Sequence, residues 1–276
     1  MHAHHGHAGF DPGLPLALLL GTAAVLYLAA AASQQRAGRR PWPARRVISW
    51  LLGITTIAAA VIGPLADAAQ HDFAAHMAAH LLLGMLAPLL LALSAPITLA
   101  LRTLDVRSAR RLSRFLHLPI ARFLTHPAPA ALINAGSLWA LYATPLSTAT
   151  LGDPLLHHLV LAHLFLAGYL FTVSIIGIDP APHRASFRLR LVVLVLAIAA
   201  HSILAKHIFS HPPGRTSPAQ AEQGAMLMYY GGDLLELALV MLFCAQWYRA
   251  ARPAAAQLTA TRKPVGRDRD VHRSRT

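Results

Sequence analysis

Residues 76–101 read HMAAHLLLGMLAPLLLALSAPITLAL. The run contains no Asp, Glu, Lys or Arg. It is long enough to cross a bilayer, which takes roughly 20 mostly apolar residues. It nevertheless opens on His76 and His80, four apart and therefore on one face of a helix. An ionisable side chain inside a span is costly and marks function by default. One stretch thus sets both the class of fold and the place to look for chemistry.

The rest of the chain repeats the pattern. Only 13% of its 276 residues are charged, against roughly 25% in soluble domains. Apolar segments at 13–33, 47–66, 76–101, 128–145, 154–178, 189–209 and 222–248 predict seven spans. The fold expected is all-α, a polytopic membrane bundle of seven transmembrane helices. The first segment has no Lys or Arg before it and no cleavage context, so it reads as a true span rather than a signal peptide.

A net charge of +13 could mean nucleic acid, but the placement of the charges excludes it. Of the 24 Lys and Arg, all but Lys206 and Arg215 fall in loops 34–46, 102–126 and 179–190 or beyond residue 248. Basic loops face the cytoplasm, which puts the N-terminus outside and the C-terminus inside. The expected parts are a histidine-rich external segment over 1–12, a transmembrane domain over 13–248 and a basic cytoplasmic tail over 249–276. That tail is polar, reads as disordered and is drawn to anionic lipid. Cys244 is the single cysteine, so neither an intramolecular disulfide nor a CxxC metal site exists.

All but His117, His126, His183 and His272 of the 17 histidines fall on the outer side of this map. Imidazole suits several transition metals and thioether selects Cu(I). Without paired thiols, His and Met are what remains for copper. His76, His80, Met77 and Met85 form one candidate set, with Asp72 a turn earlier; otherwise the two histidines line a wet vestibule and Met85 fills a gap. On the fifth span, His158 and His163 lie about 140° apart on a regular helix. Both are expected to face the interior, with His157 at the interface, and a π-bulge there would ease the geometry. His201 is an interior candidate at mid-depth, whereas His207 and His211 read as solvated. In the last span, Asp233 and Glu236 need partners. They either orient metal-binding histidines or pair between helices. Met226 and Met228 are two apart, so at most one joins a site; Met226 is the candidate. His2, His4, His5 and His7 suit loose metal scavenging.

These residues resemble the seven-helix CtaG family of cytochrome c oxidase assembly factors. The likeness is carried by His76-Met77-Ala78-Ala79-His80 running through Met85-Leu86-Ala87-Pro88 to Ala95-Pro96 and Arg102. It continues in His158 to Phe171 with Gly177-Ile178-Asp179-Pro180, and in Glu222-Gln223-Gly224-Ala225 with Asp233. Glu222 stands where the family more usually has Asp. The resemblance implies a non-enzymatic role in a bacterial inner (plasma) membrane. It implies handling of copper, as Cu(I), for the catalytic centre of a haem–copper oxidase. The implied partners are the oxidase subunit carrying that copper and an extracytoplasmic copper chaperone.

Three other readings compete. A copper transporter or resistance protein would need polar or sulfur groups through the inner half, which holds little beyond Cys244. A bis-histidine haem carrier would pair His80 or His163 with His201. A scaffold would use its histidines only as hydrogen-bond partners. A retinal protein is discounted, since the last span has no lysine.

Overall fold

The computed structural model describes residues 13–36, 38, 40–180, 184–214 and 216–251. The histidine-rich start and the tail beyond Ala251 lie outside them. Among the described residues the chain is helical throughout, with no strand. Its helices are α1 (Gly13–Arg36), α2 (Ala44–Val61), α3 (Pro64–Ala68), α4 (Phe73–Leu81), a π-helical turn (Leu82–Leu86), α5 (Ala87–Ser94) and α6 (Pro96–Thr103). They continue as α7 (Val106–Leu116), α8 (Pro119–Leu124), α9 (Pro127–Ala143), α10 (Leu146–Gly152), α11 (Pro154–Ile176), α12 (Phe187–Ser210) and α13 (Pro218–Ala251).

Among the described residues, six stretches are long and apolar enough to cross a membrane: Gly13–Arg36, Ala44–Ala68, Phe73–Thr103, Leu155–Ile176, Phe187–Ser210 and Pro218–Ala251. The expected segment 128–145 forms α9, whose 17 residues sit at the lower limit for a span. Ala130 packs with Leu89, Phe171, Ile175 and Phe243 in one core cluster. Leu138, Leu141 and Tyr142 pack with Met77, Leu204 and Met228 in another. Pro127 starts α9 without loss, because the first helical N–H has no intrahelical acceptor anyway.

The quoted stretch is not one regular helix. Asp72 caps α4, its carboxylate accepting from Ala75 N at 2.7 Å. The side chain expected to assist a metal is therefore exposed and occupied as an N-cap, a use that short carboxylates fill well. The π-turn follows, and the helix then breaks at Ala95, whose φ of 54° lies in the left-handed region that costs a non-glycine residue about 1–2 kcal/mol. Pro96 restarts it.

Asp179 holds this restart. Its carboxylate accepts from Ile97 N (3.2 Å), Thr98 N (2.7 Å) and Thr98 Oγ1 (2.6 Å). It is only 7% exposed. Removing it strands backbone donors in a dry place. Asp179→Ala is expected to lower stability by about 2 kcal/mol, read as a fall in the thermal midpoint of the purified protein. Asp179→Asn, which keeps an acceptor, should fall less.

Arginines close the same end of the bundle. Arg190 is buried, donates from Nη1 to Ile175 O at 2.7 Å, and lies 4.2 Å from the Phe187 ring centroid. Arg184 donates to Ile176 O (3.1 Å) and to Gly177 O. Both answer the unpaired carbonyls and negative dipole end of α11. Tyr27 ties α1 to the break in the third span by donating to Ser94 O at 2.7 Å, while it stacks on Trp50. These contacts fix the arginine-rich end and leave the polar chemistry to the middle of the bundle and its histidine-rich end.

Candidate functional site

A cavity of about 50 Å³ lies between span 3, α9, α11, α12 and α13. That is room for a few waters or an ion. Its polar lining comes from His80, Asn134, Thr172, His201 and Glu236, and Met85 lines it as well. The rest is apolar, including Leu138, Leu164 and Phe171.

His80 projects from α4 and is 3% exposed, and neither of its ring nitrogens has a hydrogen-bond partner among the described residues. His201 comes from α12, with its ring centroid 6.4 Å from that of His80. Its Nδ1 stands 3.2 Å from Glu236 Oε1. This is an ion-pair distance, although the ring is turned out of line for a hydrogen bond. Glu236 Oε2 is also without a partner. Buried imidazoles and carboxylates normally satisfy their polar atoms, so this concentration of unused lone pairs needs a reason.

The π-turn explains how Met85 joins His80. Five residues apart on a regular helix, the two would point about 140° apart. An i→i+5 turn between them brings both to the cavity wall. The π-turn lies on the third span, and α11, where such a bulge would have eased the histidine geometry, is a regular helix. The turn is held from outside by Gly168, since a Cβ there would land on Gly84 O.

Gly232 does the same for His201. A Cβ at 232 would strike His201 Cε1 and lie 2.9 Å from Nδ1. Gly232→Ala is therefore expected to turn the His201 ring away from Glu236. It should weaken any metal held at the cavity by roughly ten- to a hundred-fold, the usual cost of misplacing a ligand's support. Copper retention of the purified variant checks this, with its thermal midpoint as control for folding.

Toward the histidine-rich end, His76 Nε2 lies 3.1 Å from the Tyr142 hydroxyl, so His76 already has a partner. The Tyr142 ring also stands edge-on to His80 at 6.1 Å. Met77 is fully buried in the apolar cluster with Leu138, Leu204 and Met228 and does not line the cavity.

Three expectations are corrected. His158 and His163 are exposed, on the face of α11 that carries Leu155, Leu159 and Leu166. His157 is the half-buried member. Met226 is 46% exposed, and Met228 is the one turned inward. Asp233 is half-buried and stands off the cavity, leaving Glu236 as the carboxylate inside. Sequence reasoning missed Asn134, Trp139 and Tyr142. Asn134 carried a usable signal, as the single side-chain amide of a mostly apolar helix without charged residues.

Among the described residues, no three His, Cys, Asp or Glu side chains form a ready metal cage. The donors that converge are two imidazoles, a thioether and one carboxylate. Such a set suits a soft monovalent cation better than a hard divalent one. His163, being exposed, does not stand with His201 at the cavity.

A family model described as cytochrome c oxidase caa3 assembly factor matches residues 25–250. Uncharacterized proteins of Mycobacterium bovis and Mycobacterium tuberculosis are each 32% identical over 269 residues, covering 87% of this chain and 40% of theirs. One of Mycobacterium leprae is 32% identical over 195 residues, covering 67% of this chain and 29% of its own. The chain therefore spans well under half the length of these relatives. No solved structure matches.

Proposed function

Since this chain belongs to the cytochrome c oxidase caa3 assembly factor family, we propose that it holds copper within the membrane while the oxidase is assembled. His80 and His201 would bind Cu(I), Met85 would supply the soft third donor, and Glu236 would balance the charge and steady His201. Copper is cargo here, and the protein does no catalysis. His76, bonded to Tyr142, stands between the cavity and the histidine-rich end, where cargo would enter. The recipient would be the oxidase subunit that carries the catalytic copper.

The observation carrying this reading is His80, a buried imidazole with two unused nitrogens facing a cavity that also presents His201, Glu236 and Met85. A site for transfer has to release its metal. Imidazole and thioether without thiolate give a donor set weak enough for exchange. Holding fits better than transport, because toward the arginine-rich end the cavity is lined mainly by Phe171, Leu194 and Leu239, beside the hydroxyl of Thr172.

The test is made in cells that express the client oxidase. Removing this protein should leave oxidase that is made but deficient in its catalytic copper. The parent gene should restore the copper, and a His80→Leu/His201→Leu gene should not. Full restoration by the double variant would leave a scaffold as the better account.

A further inference from the structure

Beyond the cavity, α12 carries another pair of imidazoles. His207 and His211 are four residues apart, with ring centroids separated by 4.7 Å and planes inclined by 17°. His211 is the exposed C-cap of the helix, and Pro212-Pro213 stop the chain from continuing it. His207 is half-buried and lies against Trp139, ring centroids 5.6 Å apart. Trp139 itself is tied to α12 through Nε1 to Ala200 O at 3.2 Å.

Ser210 decides which nitrogen of His211 is available. Its Oγ lies 3.1 Å from the carbonyls of Lys206 and His207, and 2.9 Å from His211 Nδ1. A hydroxyl has one proton, and carbonyls only accept. The proton goes to a carbonyl, so Ser210 Oγ accepts from His211 Nδ1–H. The lone pair is then on Nε2. A partner that fixes one ring nitrogen and frees the other is the usual support of a metal-binding histidine. The nearest cation on the helix, Lys206, is drawn aside, with its ammonium 5.4 Å from the Tyr229 ring centroid. His207 is six residues beyond His201, or about 9 Å along the axis. The pair is therefore separate from the cavity.

We propose that His207 and His211 form a second metal site, open to solvent, that takes Cu(II). Two imidazoles and water, without thioether, are a borderline-hard set, and among the divalent ions such a set binds Cu(II) most tightly. The site stands whether or not the cavity holds Cu(I).

The test is a Cu(II) titration of the full-length chain in detergent, followed by electron paramagnetic resonance. All forms carry His2→Gln, His4→Gln, His5→Gln and His7→Gln, to remove competition from the histidine-rich start. One Cu(II) with nitrogen couplings from imidazole is expected. His207→Asn/His211→Asn should weaken it at least ten-fold, and Ser210→Ala by a smaller factor. His80→Leu/His201→Leu should leave it unchanged. Unchanged affinity in His207→Asn/His211→Asn, or loss of the signal in the His80/His201 variant, would overturn the proposal. Cu(I) retention at the cavity is read separately, so failure of one site does not imply failure of the other.

Discussion

Replacing His80 by leucine is expected to make the protein more stable and to abolish its retention of Cu(I). The two effects have one cause. His80 is 3% exposed and neither of its nitrogens has a hydrogen-bond partner among the described residues. Each buried unsatisfied polar group costs about 1–3 kcal/mol, and leucine fills similar space with nothing to satisfy. The metal-free variant should gain about 1–2 kcal/mol, seen as a higher thermal midpoint in detergent. Copper retained after desalting should fall at least ten-fold, because one of the two imidazole donors is lost. A histidine serving only the fold would behave oppositely, losing stability on replacement. Its persistence despite this cost follows the trade in which functional sites keep groups that stability would discard.

Gly168→Ala should give the largest loss of stability. The added Cβ would land on Gly84 O and lie 3.0 Å from the Gly84 carbonyl carbon. Both partners are backbone, so no side chain can swing aside. Overpacking of this kind costs typically 1–3 kcal/mol, and about 3 kcal/mol is expected here. The displacement falls on the π-turn, so the Met85 thioether should leave the cavity wall with it. The variant should therefore lose thermal stability and bind Cu(I) more weakly. Gly21 is a suitable control, having nothing within 4 Å of an added Cβ; Gly21→Ala should change neither property.

Much of the architecture was legible in the residues. Long apolar runs set between arginine-rich loops read as membrane helices, and among the described residues six helices are long and apolar enough to cross a bilayer. Residues 128–145 read as the shortest segment, and α9 is 17 residues long. His80, His201 and Glu236 were visible as ionisable groups inside apolar helices, and all three reach one cavity.

What was not legible has physical reasons. The α11 helix is apolar on every side, so periodicity does not say which face packs inward. His158 and His163 were assigned to the wrong one. Asp72 could cap a helix or assist a metal, and only the start of α4 at Phe73 settles that it caps. The π-turn has no residue signature of its own. It follows from the close approach of Gly168 to Gly84, a contact between residues distant in sequence, and it determines whether Met85 stands with His80.

The most direct measurement is the copper content and copper K-edge X-ray absorption of the purified chain loaded with Cu(I), beside His80→Leu/His201→Leu. The account predicts about one Cu(I) per parent chain, with two nitrogen ligands and one sulfur, and none retained by the folded double variant. A parent chain that retains no Cu(I), or a double variant that retains it with an unchanged spectrum, would contradict the account.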